Sequence, residues 1–498
     1  MDKKAILQQI TFGEPVAEQE AALKTYFVET DYWHQLFRGD KDIFYGAKGS
    51  GKSALYSLLI NKRNELFDRN IFLMPAENPR GTPAFRDLTQ DPPVTELEFI
   101  NLWKLYFLSL LNDMFEEWKI TSDSAKQLRE ALEREGLIKG SRSLASLLNG
   151  VLQYVKSFFR PPQAIESEIE LDPSTQLPQG FTGRIIFSEP PPVTQRSDLR
   201  SVDHLLGLAN DALSSSSFAA WIPLDRLDVA FSDNETLEAN AIKALFRVYL
   251  DFTSYSNIKL KIFLRADIWQ RITESGFREA SHVVRTLTIS WDKSSLLNLV
   301  VKRALHNELI RSVFGVPEDL WQNSIGEKEK FFYRIFPEKV DIGEKSPMTL
   351  DWLISRTRDA KVNAPRELIQ FLNFLRTVQI KRFELGVQPL PEQDQLFART
   401  AFKEALPMVS KVRLEQTLYA EHPAIKSWCE KLRGEKTEQS TESLAEIWRV
   451  TNEVAENRAN TLANLGFFEV RGSGSSPRFW VPFIYRDSLD LVQGTAEL

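Results

Sequence analysis

A short glycine-rich run carries the clearest chemical signal in the sequence. Its residues are Gly46, Ala47, Lys48, Gly49, Ser50, Gly51, Lys52, Ser53 and Ala54. The first eight fit the pattern G-x-x-x-x-G-K-[ST], whose glycines let main-chain N–H groups approach phosphate oxygens. We expect the Lys52 ammonium to contact the β- and γ-phosphates and the Ser53 hydroxyl to ligate Mg²⁺. The pattern therefore predicts a loop that binds ATP and Mg²⁺, rather than a glycine-rich connection that binds nothing.

A phosphate loop of this type requires an acidic partner at the end of another strand. Asp225 follows the apolar run 221–224, and we expect its carboxylate to hold the Mg²⁺ shell. Asp228 stands shortly after it and is the candidate that orients water, although it could instead cap the next helix. Glu235 is a weaker candidate, because an acid at that position also suits the first turn of a helix.

Two arginines complete the predicted site. Arg265 follows the apolar run 258–264, so it would lie at a strand tip, where open parallel sheets bind ligands. There it would sense the γ-phosphate while Asp267 fixes its rotamer, or the two would form only a structural salt bridge. Arg366 falls in the first turn of a predicted helix, from which it would reach back to the nucleotide. The predicted catalytic residues are Lys52, Asp225, Asp228, Arg265 and Arg366, and the predicted metal ligands are Ser53 and Asp225.

An adenine ring needs an apolar or stacking wall, and aromatic residues precede the loop. Tyr32 and Trp33 are the candidates for this contact, although such residues more often belong to a protein core.

Apolar runs that alternate with helical patterns surround these residues. The strand-like runs are 41–45, 70–74, 218–225, 258–264 and 282–289. Helical spacing follows the loop from 52 to 59 and recurs from about 235 to 252. Strands that alternate with helices favour a parallel sheet covered on both faces, so we predict an α/β fold.

The rest of the chain divides by composition into further segments. Residues 78–200 interrupt the strand pattern with a helix that contains Phe99 and Met114, followed by a proline-rich excursion with a hairpin pattern. That excursion could bind a partner or be a structural decoration. Near the end, two helical patterns precede a glycine-turned hairpin, which describes a winged helix. We predict core segments 1–77 and 201–291, a mostly helical insertion 78–200, a helical lid 292–400 and a winged-helix domain 401–498.

Composition excludes several classes of protein. The 498 residues include 62 basic and 68 acidic ones, a formal net charge of −6, which disfavours bulk attraction to nucleic acid or anionic membranes. Cys429 is the only cysteine, so an intrachain disulfide framework is excluded, and the five histidines lack the spacing of zinc ligands. The sequence has neither a membrane-length apolar run nor the pattern of a signal peptide. We therefore expect a cytoplasmic protein without a membrane partner.

In order, the motifs GAKGSGKS, WIPLDRLD, IFLRAD and NAPREL with the terminal winged helix resemble the AAA+/STAND side of the P-loop NTPases. The resemblance is strongest to KAP-like bacterial P-loop ATPases, and it covers most of the chain outside 78–200. It implies ATP and Mg²⁺ as cofactors, a helical lid whose sensor-like arginine matches Arg366, and nucleotide-gated assembly with protein partners or with further copies of the chain. Members are often found near phage-defence genes, so the resemblance also implies antiviral defence.

One departure from that family bears on hydrolysis. Many AAA+ proteins place a glutamate directly after the Mg²⁺-shell acid, where it polarises the attacking water, but here the residue is Arg226. Asp228 is then the substitute base, and slow hydrolysis, or ATP held as a switch, suits the site better than a fast motor.

The C-terminal segment lacks the basic stripe of a DNA-reading module. Residues 401–498 contain twelve Lys or Arg and fourteen Asp or Glu, so a protein-facing role is favoured. The sequence leaves three functions open. They are an ATPase switch that controls assembly or partner engagement, a DNA-linked motor or loader, and a nucleotide-binding scaffold that does not hydrolyse.

Overall fold

A computed structural model describes most of the chain. The described residues are 2–20, 22–27, 30–77, 92–93, 95–138, 143–159, 162–171, 178–187, 200–227, 235–360, 363–472 and 477–496. For residues 26, 158, 162–171, 178–187, 200 and 201 the description covers the backbone alone. The contacts divide the chain into two compact units. We call Gln35–Tyr45 with Leu55–Thr288 the sheet unit, and Met1–His34 with Gly46–Ala54 and Ile289–Leu498 the helical unit.

The strands are β1 (Ile43–Gly46), β2 (Ile71–Leu73), β3 (Pro162–Leu171), β4 (Pro178–Phe187), β5 (Ala219–Leu224), β6 (Ile258–Arg265), β7 (Thr286–Ile289), β8 (Lys436–Ser440), β9 (Glu469–Arg471), β10 (Arg478–Trp480) and β11 (Val492–Thr495). A five-stranded parallel sheet has the order β2-β5-β6-β1-β7. β1 leads into the glycine-rich loop and β5 leads into Asp225, with β6 between them. The predicted α/β fold with a parallel sheet is confirmed.

Helices cover the sheet in its own unit. They are Arg63–Phe67, Glu96–Glu117, Asp123–Arg134, Leu144–Phe159, Arg200–Ser215, Glu235–Phe252 and Ala266–Glu274, with a 3-10 turn at Arg278–His282. Two further helices, Asp31–Arg38 and Lys52–Asn61, contain residues of both units. The helix Glu96–Glu117 is buried along most of its length, and its Trp103 indole donates to the carbonyl of Ala241 at 2.9 Å. β3 and β4 pair antiparallel, as the sequence predicts.

The helical unit has a separate apolar core. Its helices are Lys3–Gln9, Leu23–Tyr26, Lys293–His306, Glu308–Phe314, Ile325–Ile335, Thr349–Thr357, Pro365–Leu385, Arg399–Lys411, Tyr419–Glu421, Lys426–Glu430, Thr441–Trp448, Asn452–Asn464 and Phe483–Arg486. A π-helix spans Val412–Leu418, and 3-10 turns lie at Glu318–Gln322, Pro423–Ile425 and Asp487–Leu489.

The C-terminal segment contains the two helices and the hairpin predicted from the sequence. β9 and β10 pair antiparallel, and β8 and β11, which were not predicted, extend the sheet to the order β11-β8-β10-β9. The names winged helix and lid describe proposed roles, so both stay predictions.

The helix Lys293–His306 follows β7. Asp292 is its N-cap, and its carboxylate accepts a hydrogen bond from the Ser295 amide at 2.7 Å. The bonds from Ser295 hold the pKa of Asp292 below its usual value. A lowered pKa means that the carboxylate stabilises the fold above the pKa of the unfolded chain, and that this contribution is lost as the pH falls through the folded pKa.

We expect Asp292→Ala to lower the free energy of unfolding at neutral pH by about 1 kcal/mol, because the cap is lost. Urea unfolding measured from neutral to acidic pH checks this, and the difference from the unsubstituted protein should shrink as the pH falls. Asp292→Asn is the control, since an amide oxygen also caps. A difference that stays constant with pH would contradict the assignment of the charged cap.

Candidate functional site

The glycine-rich loop starts at the last residue of β1 and ends at the helix Lys52–Asn61. Gly49 and Gly51 adopt φ values of +79° and +99°, in the region that side chains other than hydrogen rarely occupy. The first turn of the helix carries no acidic residue. Its unpaired amides and the helix dipole therefore form an electropositive end suited to an anion.

Two polar side chains lie inside the loop. The Lys52 ammonium donates to the carbonyl oxygens of Gly46 and Ala47, each at 2.9 Å. The Ser50 side chain is fully buried, and among the described residues its hydroxyl has no hydrogen-bond partner. A buried hydroxyl without a partner is costly, so a phosphate oxygen as acceptor would lower the free energy of this loop. The residues present thus fit a bound phosphate.

Side chains of the helical unit hold the loop from outside. The Trp291 indole N–H donates to the Ser50 carbonyl at 2.8 Å, and the Asn363 amide donates to the Trp291 carbonyl at 3.4 Å. Lys48 forms an ion pair with Glu421. Sequence reasoning did not assign a role to Trp291 or Glu421, because neither belongs to a recognisable local motif.

Arg366 lies against the loop. It occupies the first turn of the helix Pro365–Leu385, which has proline at its start, as helix N-termini favour. A Cβ placed on Gly49 would be 3.1 Å from the Arg366 Cβ and 3.6 Å from the Ala364 Cβ. Within the part of the chain that the structure describes, Arg366 forms neither a hydrogen bond nor an ion pair. The structure therefore brings Arg366 to the loop, while its role as a sensor stays a prediction.

The predicted acids belong to the sheet unit. Asp225 directly follows β5 and is buried, and Arg226 after it has a φ of +60°, so the chain turns sharply here. Asp228 lies outside the described residues. Glu235 is the first residue of the helix Glu235–Phe252 and pairs with Arg271 at 3.4 Å, which matches its interpretation as a helix-start acid.

Arg265 ends β6 and is held by a bidentate contact. Its Nε and Nη2 donate to the two carboxylate oxygens of Asp267 at 3.1 and 2.8 Å. This is the pairing expected from the sequence, and it is compatible both with a fixed sensor and with a structural salt bridge.

A further acid, Glu77, was missed by sequence reasoning. β2 and β5 are parallel with Leu73 opposite Trp221, and the ladder continues beyond β2, because the Ala76 amide donates to the Pro223 carbonyl at 3.0 Å. Glu77 follows Ala76 where the chain bends after β2, and its charge and that of Asp225 both act on Tyr56. Both acids are buried. The only signal in the sequence was an acid shortly after a strand, which is too common to single out.

Tyr56 lies beside these two acids. Its hydroxyl donates to the Glu77 carbonyl oxygen at 2.5 Å. Burial, reinforced by the negative charges of Asp225 and Glu77, raises the pKa of Tyr56 well above its usual value. The hydroxyl therefore stays protonated at neutral pH and acts here as a donor.

The remaining candidates are already occupied by contacts within their own units. Trp33 is buried and packs edge-on against Phe27, whereas the Tyr32 hydroxyl bonds to Ser290. The adenine contact stays a prediction, and Trp33 has the placement of a core residue.

Comparisons with known proteins add little to this geometry. No family model matches the chain, and no curated protein sequence matches it. Among solved structures the chain is similar to the ORC2 protein of Aeropyrum pernix, determined as ADPNP-ADP complexes, with a TM-score of 0.30 and 12% identity over 91% of this chain and 87% of that one. A similarity at this TM-score carries no argument, so the site is assessed on its own residues. None of the helices in the described ranges combines the length and the apolar composition that a membrane span requires. Those ranges also contain no group of three or more histidine, cysteine or acidic residues placed to hold a metal ion.

We expect Gly49→Ala to weaken nucleotide binding more than it weakens the fold. The new methyl group would meet Arg366 and would force a left-handed alanine, at a cost of roughly 1–2 kcal/mol in the loop. Gly276→Ala is the matched control, because its φ is +86° but no atom lies within 4 Å of the added Cβ. Calorimetry with an ATP analogue and thermal unfolding separate the two effects. Equal nucleotide affinity in both variants would contradict the assignment of Gly49.

Proposed function

We propose that the chain binds ATP and Mg²⁺ at the loop Gly46–Ser53, hydrolyses the ATP slowly, and acts as a nucleotide-gated switch. The observation that carries the proposal is the loop itself. It combines two left-handed glycines, a lysine ammonium folded over the loop carbonyls and a buried serine hydroxyl without a protein partner in the described residues, all at the start of a helix. The sheet order, with β6 between the strand before the loop and the strand before Asp225, supports it.

The proposed roles of the side chains follow from their chemistry. Lys52 binds the β- and γ-phosphate oxygens, and Ser53 and Asp225 hold Mg²⁺, whose charge neutralises the phosphates when it is bound. Arg265 and Arg366 supply the remaining positive charge. Arg265 is fixed by Asp267, whereas Arg366 projects from a helix that packs at Gly49.

We propose two candidates for the base that activates water. Arg226 carries no carboxylate, and its backbone is left-handed. Asp228 remains the candidate from the sequence. Glu77 is the candidate from the structure, because it and Asp225 both lie close to Tyr56. A carboxylate beside the proposed Mg²⁺ ligand can accept a proton from water or hold that water for attack.

The switch role rests on the contacts around the loop. Arg366, Trp291 and Glu421 all come from segments of the helical unit far along the chain, and each touches the loop or its flank. A change in the loop on nucleotide binding would therefore displace the C-terminal segment. We propose that this segment engages a protein partner or another copy of the chain.

The surface of the C-terminal hairpin supports a protein-facing role over DNA binding. Arg471 pairs with Glu469 at 2.9 Å and lies over the Trp480 ring at 3.8 Å. Its positive charge is therefore already compensated within the hairpin. The helix Asn452–Asn464 has Glu453 in its first turn. We therefore propose that the C-terminal segment is a winged helix that binds protein. We also propose that the chain belongs to the KAP/STAND-like group and acts in anti-phage defence, and the sequence motifs support these two proposals.

We expect Lys52→Ala to abolish measurable binding of ATP with Mg²⁺, because the phosphate charge loses its ammonium partner. Isothermal titration calorimetry checks this, with Lys62→Ala as the control, since that variant also loses a lysine contact, to Glu65 at 2.6 Å. Unchanged affinity in Lys52→Ala would refute the proposed site. Stimulation of turnover by DNA with a steep salt dependence would favour the DNA-linked motor instead.

We expect either Glu77→Gln or Asp228→Asn to reduce ATP turnover by about 100-fold or more while ATP binding persists, because a positioned base contributes this much. Phosphate release measured at saturating ATP decides between them. Glu98→Gln, which also removes the charge of a fully buried glutamate in the sheet unit, is the control and should turn over normally. No turnover in the unsubstituted protein would favour the scaffold that does not hydrolyse.

A further inference from the structure

Arg413 is a buried arginine whose side chain joins three parts of the helical unit. It lies in the π-helix Val412–Leu418. Helices of this type are rare in proteins, and those that occur are often found at functional sites. Its guanidinium donates to Glu367 at 2.8 Å, to Asp359 at 2.6 Å and to the Tyr485 hydroxyl at 3.2 Å. The side chain is 11% exposed and that of Glu367 5%. Such a well-bonded charge fixes the relative positions of its partners.

The contact with Glu367 places this network next to the loop. Glu367 directly follows Arg366 in the first turn of the helix Pro365–Leu385, and that turn packs at Gly49. The two residues are adjacent in one helical turn. A contact that holds Glu367 therefore also holds the backbone from which the Arg366 side chain starts.

The other two contacts connect the network to the C-terminal segment. Tyr485 is fully buried in the helix Phe483–Arg486 and lies 5.2 Å, centroid to centroid, from Phe467. Asp359 packs at Gly466, where an added Cβ would be 3.2 Å away, and the next residue, Ala360, donates its amide to the Gly466 carbonyl. Arg413 thus links the Arg366 helix to the elements around the C-terminal hairpin.

The same stretch of chain reaches the loop a second time. Beyond the π-helix it continues into Tyr419–Glu421, and Glu421 forms the ion pair with Lys48. One continuous segment therefore contacts both the residue beside Arg366 and the loop itself. A shift of that segment would move Arg366 and the loop together.

We propose that Arg413 is a positioning residue that holds Arg366 against the phosphate loop and makes nucleotide affinity depend on the C-terminal segment through Tyr485. This inference rests on the proposed function, because Arg366 must contact the bound nucleotide for its position to matter. A buried ion-pair network that only stabilised the fold would act on stability and leave affinity unchanged.

The test is a thermodynamic cycle between the network and Arg366. The variants are Tyr485→Phe, Arg413→Lys and Arg366→Ala, with each of the first two also combined with the third. Affinity for a non-hydrolysable ATP analogue with Mg²⁺ is measured by calorimetry, and thermal unfolding without nucleotide is measured in parallel. Tyr485→Phe removes one hydroxyl and is the mild variant if Arg413→Lys fails to fold. Tyr333→Phe, half-buried in the same unit, is its control.

We expect Tyr485→Phe to weaken binding by about threefold and Arg413→Lys by about tenfold, the scale of one and of several lost hydrogen bonds. In the Arg366→Ala background both substitutions should have no further effect, because their action passes through Arg366. Losses of affinity that add to that of Arg366→Ala, or unchanged affinity despite lowered thermal stability, would overturn this inference alone. If the unsubstituted protein bound no analogue, both the proposed function and this inference would be overturned.

Discussion

The missing side chain at Gly49 is the constraint on which the proposed site depends. With φ at +79° and the Arg366 Cβ 3.1 Å from where a Cβ would stand, any side chain here would strain the backbone and push Arg366 aside. The loop can then curve tightly enough for the Lys52 ammonium to reach two loop carbonyls. The first turn of the helix Pro365–Leu385 can also approach the loop closely. One glycine thus permits both the tight curve of the loop and the close approach of the Arg366 helix.

Buried charges in both units are compensated by short, specific contacts. In the sheet unit, the Asp42 carboxylate just before β1 accepts hydrogen bonds from Lys261 at 2.7 Å and from Arg285 at 2.6 Å. The Lys261 ammonium lies 4.3 Å from the centre of the Trp221 ring. In the helical unit, Arg413 plays the corresponding part. Removing one member of such a set would leave an uncompensated charge in a region of low dielectric constant, which costs several kcal/mol. These networks therefore make the strand leading to the loop and the turn carrying Arg366 stiff.

The sequence predicted which segments form helices and strands better than it predicted which distant residues contact one another. The five strands of the parallel sheet and the helices Glu235–Phe252 and Asn452–Asn464 follow from periodicity and turn residues. The loop residues were predictable for the same reason, since their spacing is local. Glu77 and Arg413 were not, because their significance depends on contacts between residues far apart in the chain. A single sequence contains no specific signal for either.

The left-handed backbone at Arg226 limits how this site could be redesigned. A glutamate installed there would inherit the left-handed backbone, so its carboxylate would leave the chain in a direction set by that turn. A variant that needs an extended residue at this position would first require a different backbone there. The turn after β5 therefore limits which side-chain directions a substitution can reach.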